Sequence, residues 1–258
     1  MRNLAVLILC VALAAGPFTA RAELSDEIQV YTDDINAPGQ KGLELHVNTT
    51  PRGRRTPDYP GEAVPYHGLR VTPEFSLGLT PTLEAGLYLP TNRDANGHFS
   101  LAGMKLRMKW LPLKAEEGGS GLFAGANVEL SRLQQRFSES RNSAELRLIG
   151  GWRGADWLLA ANPVIGVNLS PGYRSGGADL SLGLKAARSV ANKLALGLEY
   201  YVDIGTTQGR LPAAQQPRSL YLAMDGEIHG WDINAGIGHG LNGATDRLTL
   251  KLIVGFPL

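Results

Sequence analysis

Apolar and polar residues alternate strictly along the stretch from Leu69 to Leu89. One parity is apolar as far as the turn at Thr80-Pro81-Thr82, and the alternation restarts at Leu83. The apolar positions before the turn are Leu69, Val71, Pro73, Phe75, Leu77 and Leu79, and the polar ones are Arg70, Thr72, Glu74 and Ser76. A period of two is typical of a β-strand with one apolar and one polar face. Two such runs around a short turn predict an antiparallel hairpin.

The same alternation recurs to the C-terminus and predicts about twelve strands, with no stretch of helical period. Their ranges are 43–48, 69–79, 83–89, 102–110, 122–130, 145–153, 157–168, 179–186, 194–204, 220–228, 231–237 and 248–256. About ten residues is the length that a tilted strand needs to cross a bilayer. The strands of a soluble β-sandwich also have one apolar and one polar face, so further features must decide between a sandwich and a membrane barrel.

The connections between these strands alternate in length. The long ones cover residues 50–66, 91–98, 132–141, 170–177 and 205–217, and the short ones cover 80–82, 154–156, 190–192 and 229–230. Only 111–119 is too long and 241–245 too short for the rule. Long outer loops and short periplasmic turns are typical of outer-membrane barrels. We therefore expect both termini in the periplasm, and 50–66 and 205–217 at the cell surface.

Aromatic residues gather at the end of the barrel that carries the short turns. They lie on the apolar parity, as an interfacial belt should, and they are Trp110, Trp152, Trp157, Trp231 and Phe256. The polar parity is rich in charged residues and glycine, and it does not form a second apolar face. These features predict an all-β fold, a transmembrane antiparallel up-and-down β-barrel of about 12 strands over residues 40–258.

Residues 1–22 have the pattern of a secretory signal peptide. Arg2 precedes an apolar run too short for a membrane span, and Ala20-Arg21-Ala22 matches a cleavage site. Cys10, the sole cysteine, lies in this segment. We expect cleavage near Ala22 and an outer-membrane location in a Gram-negative bacterium. Residues 23–39 are then a periplasmic N-terminal lead-in at the barrel mouth.

Charged side chains on the polar parity are the candidate lumen and selectivity residues. They are Arg70, Glu74, Glu84, Lys105, Arg107, Lys109, Glu129, Arg147, Glu199, Asp203, Asp225 and Glu227. The fourth strand supplies only bases, at 105–109, whereas the ninth and tenth supply acids, so a transverse field could orient a solute. Alternatively, cross-strand pairs such as Glu84–Lys105 and Arg107–Glu129 plug the lumen.

Enzyme chemistry has little support in the sequence. His46 with Glu44 and Glu74 could form an inward acid–base cluster, and His239 is predicted near the outer rim without a serine on the adjoining parity. We predict no catalytic residues, no cofactor and no metal site. The net charge of +1 gives no sign of nucleic-acid binding.

The N-terminal part of the mature chain carries a family resemblance. Glu27 to Tyr31, Asn36 to Gly39 and Gly42 to Asn48 resemble the start of proteobacterial outer-membrane transporter-like barrels of the MetA-pathway phenol-degradation type. The resemblance implies an outer-membrane location and uptake of a small molecule.

Three functions follow from these expectations. The first is a channel or transporter for a small polar or aromatic solute, with a charged lumen. The second is a structural or adhesive surface barrel with a plugged lumen, and the third is a lipid-modifying barrel enzyme. The expected partners are outer-membrane lipid, a small-molecule solute and the barrel-assembly machinery.

Overall fold

Fifteen β-strands build one closed sheet in the computed structural model of the chain, which describes residues 27–115 and 119–258. The predicted signal peptide, residues 1–22, lies outside the described part. The strands are β1 (Lys41–Arg52), β2 (Leu69–Thr80), β3 (Leu83–Tyr88), β4 (Thr91–Arg93), β5 (Phe99–Leu101), β6 (Gly103–Leu113), β7 (Gly121–Leu133), β8 (Asn142–Arg153), β9 (Trp157–Asn168), β10 (Asp179–Ala191), β11 (Leu194–Thr206), β12 (Gly209–Arg210), β13 (Arg218–Ile228), β14 (Trp231–Gly240) and β15 (Leu248–Pro257).

Pairing of the first strand with the last closes the sheet into a barrel. β1 pairs antiparallel with β2 on one side and with β15 on the other. β3 with β4 forms one interrupted wall strand, β5 with β6 forms another, and β12 is a short pair at the end of β11. The wall therefore has twelve antiparallel strands, which confirms the predicted fold.

One predicted loop is wrong. Residues 91–98 were predicted to be a loop, but their first three residues form β4, which pairs with β5 as a short hairpin. The wall between β2 and β6 therefore reaches further towards the loop end than predicted. Helical structure in the described residues is confined to one 3₁₀ turn, Arg174–Gly176, and no helix among them is long and apolar enough to cross a membrane.

The outer face of the barrel is apolar. Large side chains on the outward parity remain exposed, for example Leu106, Leu198 and Leu222 at 52, 50 and 63%. Neighbouring strands repeat this exposure around the barrel, which forms an apolar band. Lipid stabilises such a band, and closure leaves no edge strand without a hydrogen-bonding partner. The outer face is therefore a membrane-spanning surface.

The predicted aromatic belt lies on this outer face at the short-turn end. All four tryptophans are exposed, at between 39 and 53%. Trp110 is opposite Leu83 at the start of β3, Trp152 and Trp157 flank one turn, and Trp231 contacts Phe256 edge-to-face with ring centroids 4.8 Å apart.

Residues 27–36 lie inside the barrel, and we call them the luminal segment. Ile28, Val30 and Tyr31 are 7, 3 and 5% exposed, so the chain runs deeper than the barrel-mouth position expected from the sequence. The segment passes from the middle of the lumen to the turn end and continues through Gly39 into β1.

Candidate channel lumen

Hydrogen bonds from the wall hold the upper part of the luminal segment. The Asn162 side chain makes two hydrogen bonds with the Tyr31 backbone: it accepts from the N–H at 2.6 Å and donates to the carbonyl at 3.1 Å. Lys251 donates to the Ile28 carbonyl at 3.0 Å, and Arg147 donates to that of Gln29 at 3.1 Å. Side chains thus satisfy a buried backbone that no strand pairs.

The segment leaves the lumen at the turn end through charged and backbone contacts. The Arg153 guanidinium donates to Asp33, with Nε at 2.8 and 3.1 Å from the two carboxylate oxygens. Asn36 N–H donates to Glu84 at 2.7 Å. Gly78 must be glycine, because a Cβ there would lie 2.1 Å from the Ala37 carbonyl oxygen. The segment is therefore built into the wall.

An apolar cluster lies on the inward parity, contrary to the predicted absence of a second apolar face. Leu111, Phe123, Ile149 and Ala160 are 0 to 7% exposed and pack against Val30 and Tyr31. The prediction failed because these four residues are spread over separate strands, and each has a polar residue or a glycine as an inward neighbour along its strand. Together they supply the apolar surface that the luminal segment covers.

The inward charges of β1, β2, β3 and β6 form a connected network. Arg107 Nε lies 2.5 Å from Glu74, its Nη2 lies 2.7 Å from Glu84, and His46 is 3.2 Å from Glu74. The predicted pairs were Glu84–Lys105 and Arg107–Glu129. Arg107 is opposite Glu129 in the register, but its long side chain reaches the carboxylates on β2 and β3 instead. Glu129 forms an ion pair with Lys105 at 3.2 Å.

A second network spans β10, β11, β13 and β15. Glu199 is bound by Lys251, by Lys185 at 3.3 Å and by the Tyr201 hydroxyl at 2.7 Å. Asp225 also receives Lys185 at 2.7 Å, and Lys193 contacts Glu227 at the rim. The predicted acidic wall is thus largely neutralised by lysines on β10, on β15 and in the turn between β10 and β11.

Aromatic rings accept part of the remaining positive charge. Lys109 Nζ lies 5.1 Å from the centre of the Tyr31 ring, and the Arg147 guanidinium lies 4.7 Å from it. The Tyr31 hydroxyl is also 2.7 Å from that of Tyr88, which is fully buried. Tyr31 therefore joins the charged wall to the apolar cluster.

None of the predicted lumen residues is exposed to the outside, and all lie among the inward groups just described or in the vestibule above them. The structure brings Glu74, Glu84 and Arg107 together, and it brings Glu199 and Asp225 together around Lys185. It separates both groups from Arg70 and Asp203, which lie on the loop side. Lys185 and Lys251 stand on the inward parity of the sequence, but their pairing with the acidic side chains was not predicted.

Above the luminal segment the barrel opens into a vestibule of about 870 Å³. Its described lining includes nine carboxylates and three cationic side chains. The carboxylates are Glu27, Asp58, Glu62, Glu129, Glu139, Glu145, Asp179, Asp203 and Asp246, and the cations are Arg70, Lys105 and Arg147. The loop after β7 folds over the mouth, where Phe137 lies 5.5 Å from the Arg70 guanidinium.

Asp246 marks the outer edge of this vestibule. It lies in the loop after β14 and accepts a hydrogen bond from Arg54 N–H at 2.8 Å. Burial raises the pKa of Asp246, and the Arg54 hydrogen bond and charge oppose that rise.

Glu44, His46 and Glu74 approach one another closely, as predicted. Their ligand atoms lie within 4.8 Å of one another. The Arg107 guanidinium already binds Glu74, however, and its fixed positive charge opposes a cation there. The arrangement suits a buried ion-pair network better than a metal ion.

Comparisons with known proteins identify relatives of the barrel fold. No protein-family model matches the chain, and no curated protein sequence matches it. The solved structure of the COG4313 outer membrane channel from Pseudomonas putida F1 has a TM-score of 0.60 at 13% identity, over 90% of this chain and 100% of that one. Two KdgM porin structures have TM-scores of 0.53 at 9 and 8% identity, over 84% of this chain and 99% of theirs. One of these is a complex with disordered oligogalacturonate.

At such identities the likeness concerns the fold. The twelve-stranded barrel of this chain shares its architecture with outer-membrane channels and porins. The resemblance to the MetA-pathway phenol-degradation type remains a prediction.

Proposed function

We propose that this protein is an outer-membrane channel for a small polar or aromatic solute, and that its vestibule favours positively charged solutes. The vestibule lining carries the proposal, because its carboxylates outnumber its cationic groups. A low-dielectric wall around one sign of charge raises the local concentration of the opposite sign. Arg54 reduces the imbalance by pairing with Asp58 at 2.6 Å and Glu62 at 3.1 Å, but carboxylates remain in excess.

Two tyrosines add an affinity for cationic and aromatic groups. Tyr201 and Tyr221 line the vestibule and meet edge-to-face, with ring centroids 5.5 Å apart. The face of a tyrosine ring attracts a cation, and its edge packs against another ring. A small organic cation or a protonated aromatic amine fits this combination.

The luminal segment controls passage below the vestibule. Its Val30 and Tyr31 side chains pack across the turn-side half of the lumen, so a solute passes when the segment shifts. The same packing favours a second candidate function, a structural barrel whose lumen stays closed.

Ion selectivity in planar bilayers tests the proposal. In a potassium chloride gradient the purified barrel should show a reversal potential of cation-selective sign. Asp179→Asn with Asp203→Asn should move this potential towards zero, whereas Asp34→Asn, on the turn side and 82% exposed, should leave it unchanged. An anion-selective barrel contradicts the proposed preference. Zero conductance, both in the unaltered chain and after the luminal segment is loosened, supports the structural barrel.

A further inference from the structure

Positive charge at the loop end of the barrel is carried by arginine alone. Twelve arginines lie in or next to the outer loops, between positions 52 and 247. All seven lysines lie elsewhere, four in the lumen and three near the turn end. Arginine presents a planar fork of donors that matches phosphate and carboxylate, whereas lysine is a hydrated point charge. This distribution points to an oxyanion at the loop end.

At the loop end, acidic side chains and a group of arginines line two different pockets. The acidic residues Asp58, Glu62 and Asp246 face the vestibule, and Arg54 is drawn in towards the first two. A separate open pocket of about 430 Å³ is lined by Pro51, Arg52, Gly53, Arg55, Tyr66, His67 and Arg247. This pocket, which we call the arginine pocket, has no acidic residue in its lining. Among residues 27–115 and 119–258, no carboxylate lies within ion-pair distance of its three arginines.

A bulge in β1 sets the direction of one arginine of the pocket. The register of β1 against β15 slips between Thr49 and Arg52, so Arg52 is opposite Leu248. Directly opposed residues of an antiparallel pair point to the same face, and Leu248 shares its parity with the lipid-facing Leu250. Arg52 therefore stands on the outer face, one step beyond the apolar band. Without the bulge, its parity would have directed it into the lumen.

The pocket is ordered before any ligand arrives. The Arg55 guanidinium lies 4.0 Å from the centre of the Tyr66 ring and donates to its hydroxyl at 2.6 Å. Arg247 N–H donates to the Arg52 carbonyl at 2.8 Å, which ties the two loops together. His67 has a φ of 53°, a left-handed conformation uncommon outside glycine, and its ring meets Tyr66 edge-on at 4.1 Å.

We propose that the arginine pocket binds the phosphate of a lipid headgroup in the outer leaflet. The position at the edge of the apolar band selects a lipid over a free anion, because the acyl chains can lie along the outward leucines while the phosphate meets the guanidinium groups. Phosphate accepts several charge-assisted hydrogen bonds from such forks. The inference rests on the proposed outer-membrane location with the loops outward.

Nanodiscs test this assignment with the full-length barrel. One set contains phosphatidylethanolamine with a bisphosphorylated glycolipid, and the other contains the same glycolipid without its phosphates. The phosphorylated lipid should raise the melting temperature and co-purify, and the dephosphorylated lipid should do neither. Arg52→Gln/Arg55→Gln/Arg247→Gln should weaken binding about tenfold or more, because it removes charge-assisted contacts. The matched set Arg132→Gln/Arg141→Gln/Arg210→Gln makes the same charge change elsewhere on the rim and should bind within a factor of about two of the unaltered chain.

A charge-preserving variant and inorganic phosphate serve as further controls. Arginine-to-lysine changes at positions 52, 55 and 247 keep the charge and should still weaken binding, since the fork is lost. Equal binding by the pocket variant and the matched set overturns the assignment, as does equal binding of the two glycolipids. Inorganic phosphate that stabilises the barrel as well as the phosphorylated lipid would overturn the lipid in favour of a free anion. Bilayer selectivity is measured separately, so a barrel that conducts but ignores the lipid refutes this inference and leaves the proposed channel intact.

Discussion

Loosening the luminal segment should open the lumen, and Tyr31→Ala is the sharpest way to do so. Tyr31 is 5% exposed, packs in the apolar cluster and contacts Tyr88, Lys109 and Arg147 with its ring or hydroxyl. Truncating a buried aromatic side chain costs about 3–5 kcal/mol. Taking about 3 kcal/mol, the equilibrium between the inserted and released segment should shift by roughly 150-fold towards release.

Thiol labelling measures this shift directly. The mature chain expected from the sequence contains no cysteine, so Val30→Cys introduces a single thiol at a position that is 3% exposed. A thiol reagent should modify it slowly in the otherwise unaltered barrel and much faster when Tyr31→Ala is added. Single-channel recordings of Tyr31→Ala should show more frequent or longer openings.

Asp156→Ala provides the control, because its side chain is exposed in the short turn between β8 and β9 and lies outside the luminal segment. It should leave both labelling and conductance unchanged. Equal labelling rates at position 30 with and without Tyr31→Ala would refute the idea that Tyr31 holds the segment in place. Faster labelling without any conductance would show that the segment moves but does not gate a pore.

Three further changes test the outer face of the wall, the ion pairs of the lumen and one outer loop. Leu198→Arg places a charge on a lipid-facing residue, which should cost about 2–4 kcal/mol and lower the yield of folded, heat-modifiable barrel. Leu198→Ala should assemble normally. A normal yield of the arginine variant would reverse the inside–outside assignment. Glu199→Gln leaves Lys251 and Lys185 less compensated and should lower unfolding free energy in urea by about 3–5 kcal/mol, while Glu227→Gln at the rim should cost less than about 1 kcal/mol. Burial raises the pKa of Asp246, so protonation stabilises the fold and stability falls as pH rises from the ordinary Asp value through the raised one. Asp246→Asn keeps the acceptor for Arg54 N–H and should flatten that slope; an unchanged slope would assign it to another group.

Strand positions could be predicted from the sequence because lipid imposes a period of two on every wall strand. Leu194 to Ile204, for example, shows the alternation without ambiguity, and the structure has β11 there. Closure and strand number followed from counting such runs. The hairpin of β4 and β5 was not predicted, because strands of three residues are too short to show a period of two.

The interior was harder to predict, since long side chains do not pair only with the residue opposite. Arg107 passes over Glu129 to reach Glu74 and Glu84. The luminal segment gave almost no signal, because it pairs with no strand and carries several acids. Phe123 and Ile149 on the inward parity were the available clue, since apolar residues that face a lumen need something to cover them.

The depth and tether of the luminal segment give it a sidedness. Glu27 borders the vestibule, and the other end of the segment is fixed at the turn-side rim through Gly39 and Gly78. That tether lies on the turn side. A segment that leaves the lumen at its tethered end therefore emerges into the compartment that the short turns face. A membrane-impermeant probe on the loop side should then meet Glu27 only while the segment is inserted, and the same probe on the turn side should meet residues 28–31 only after such a release.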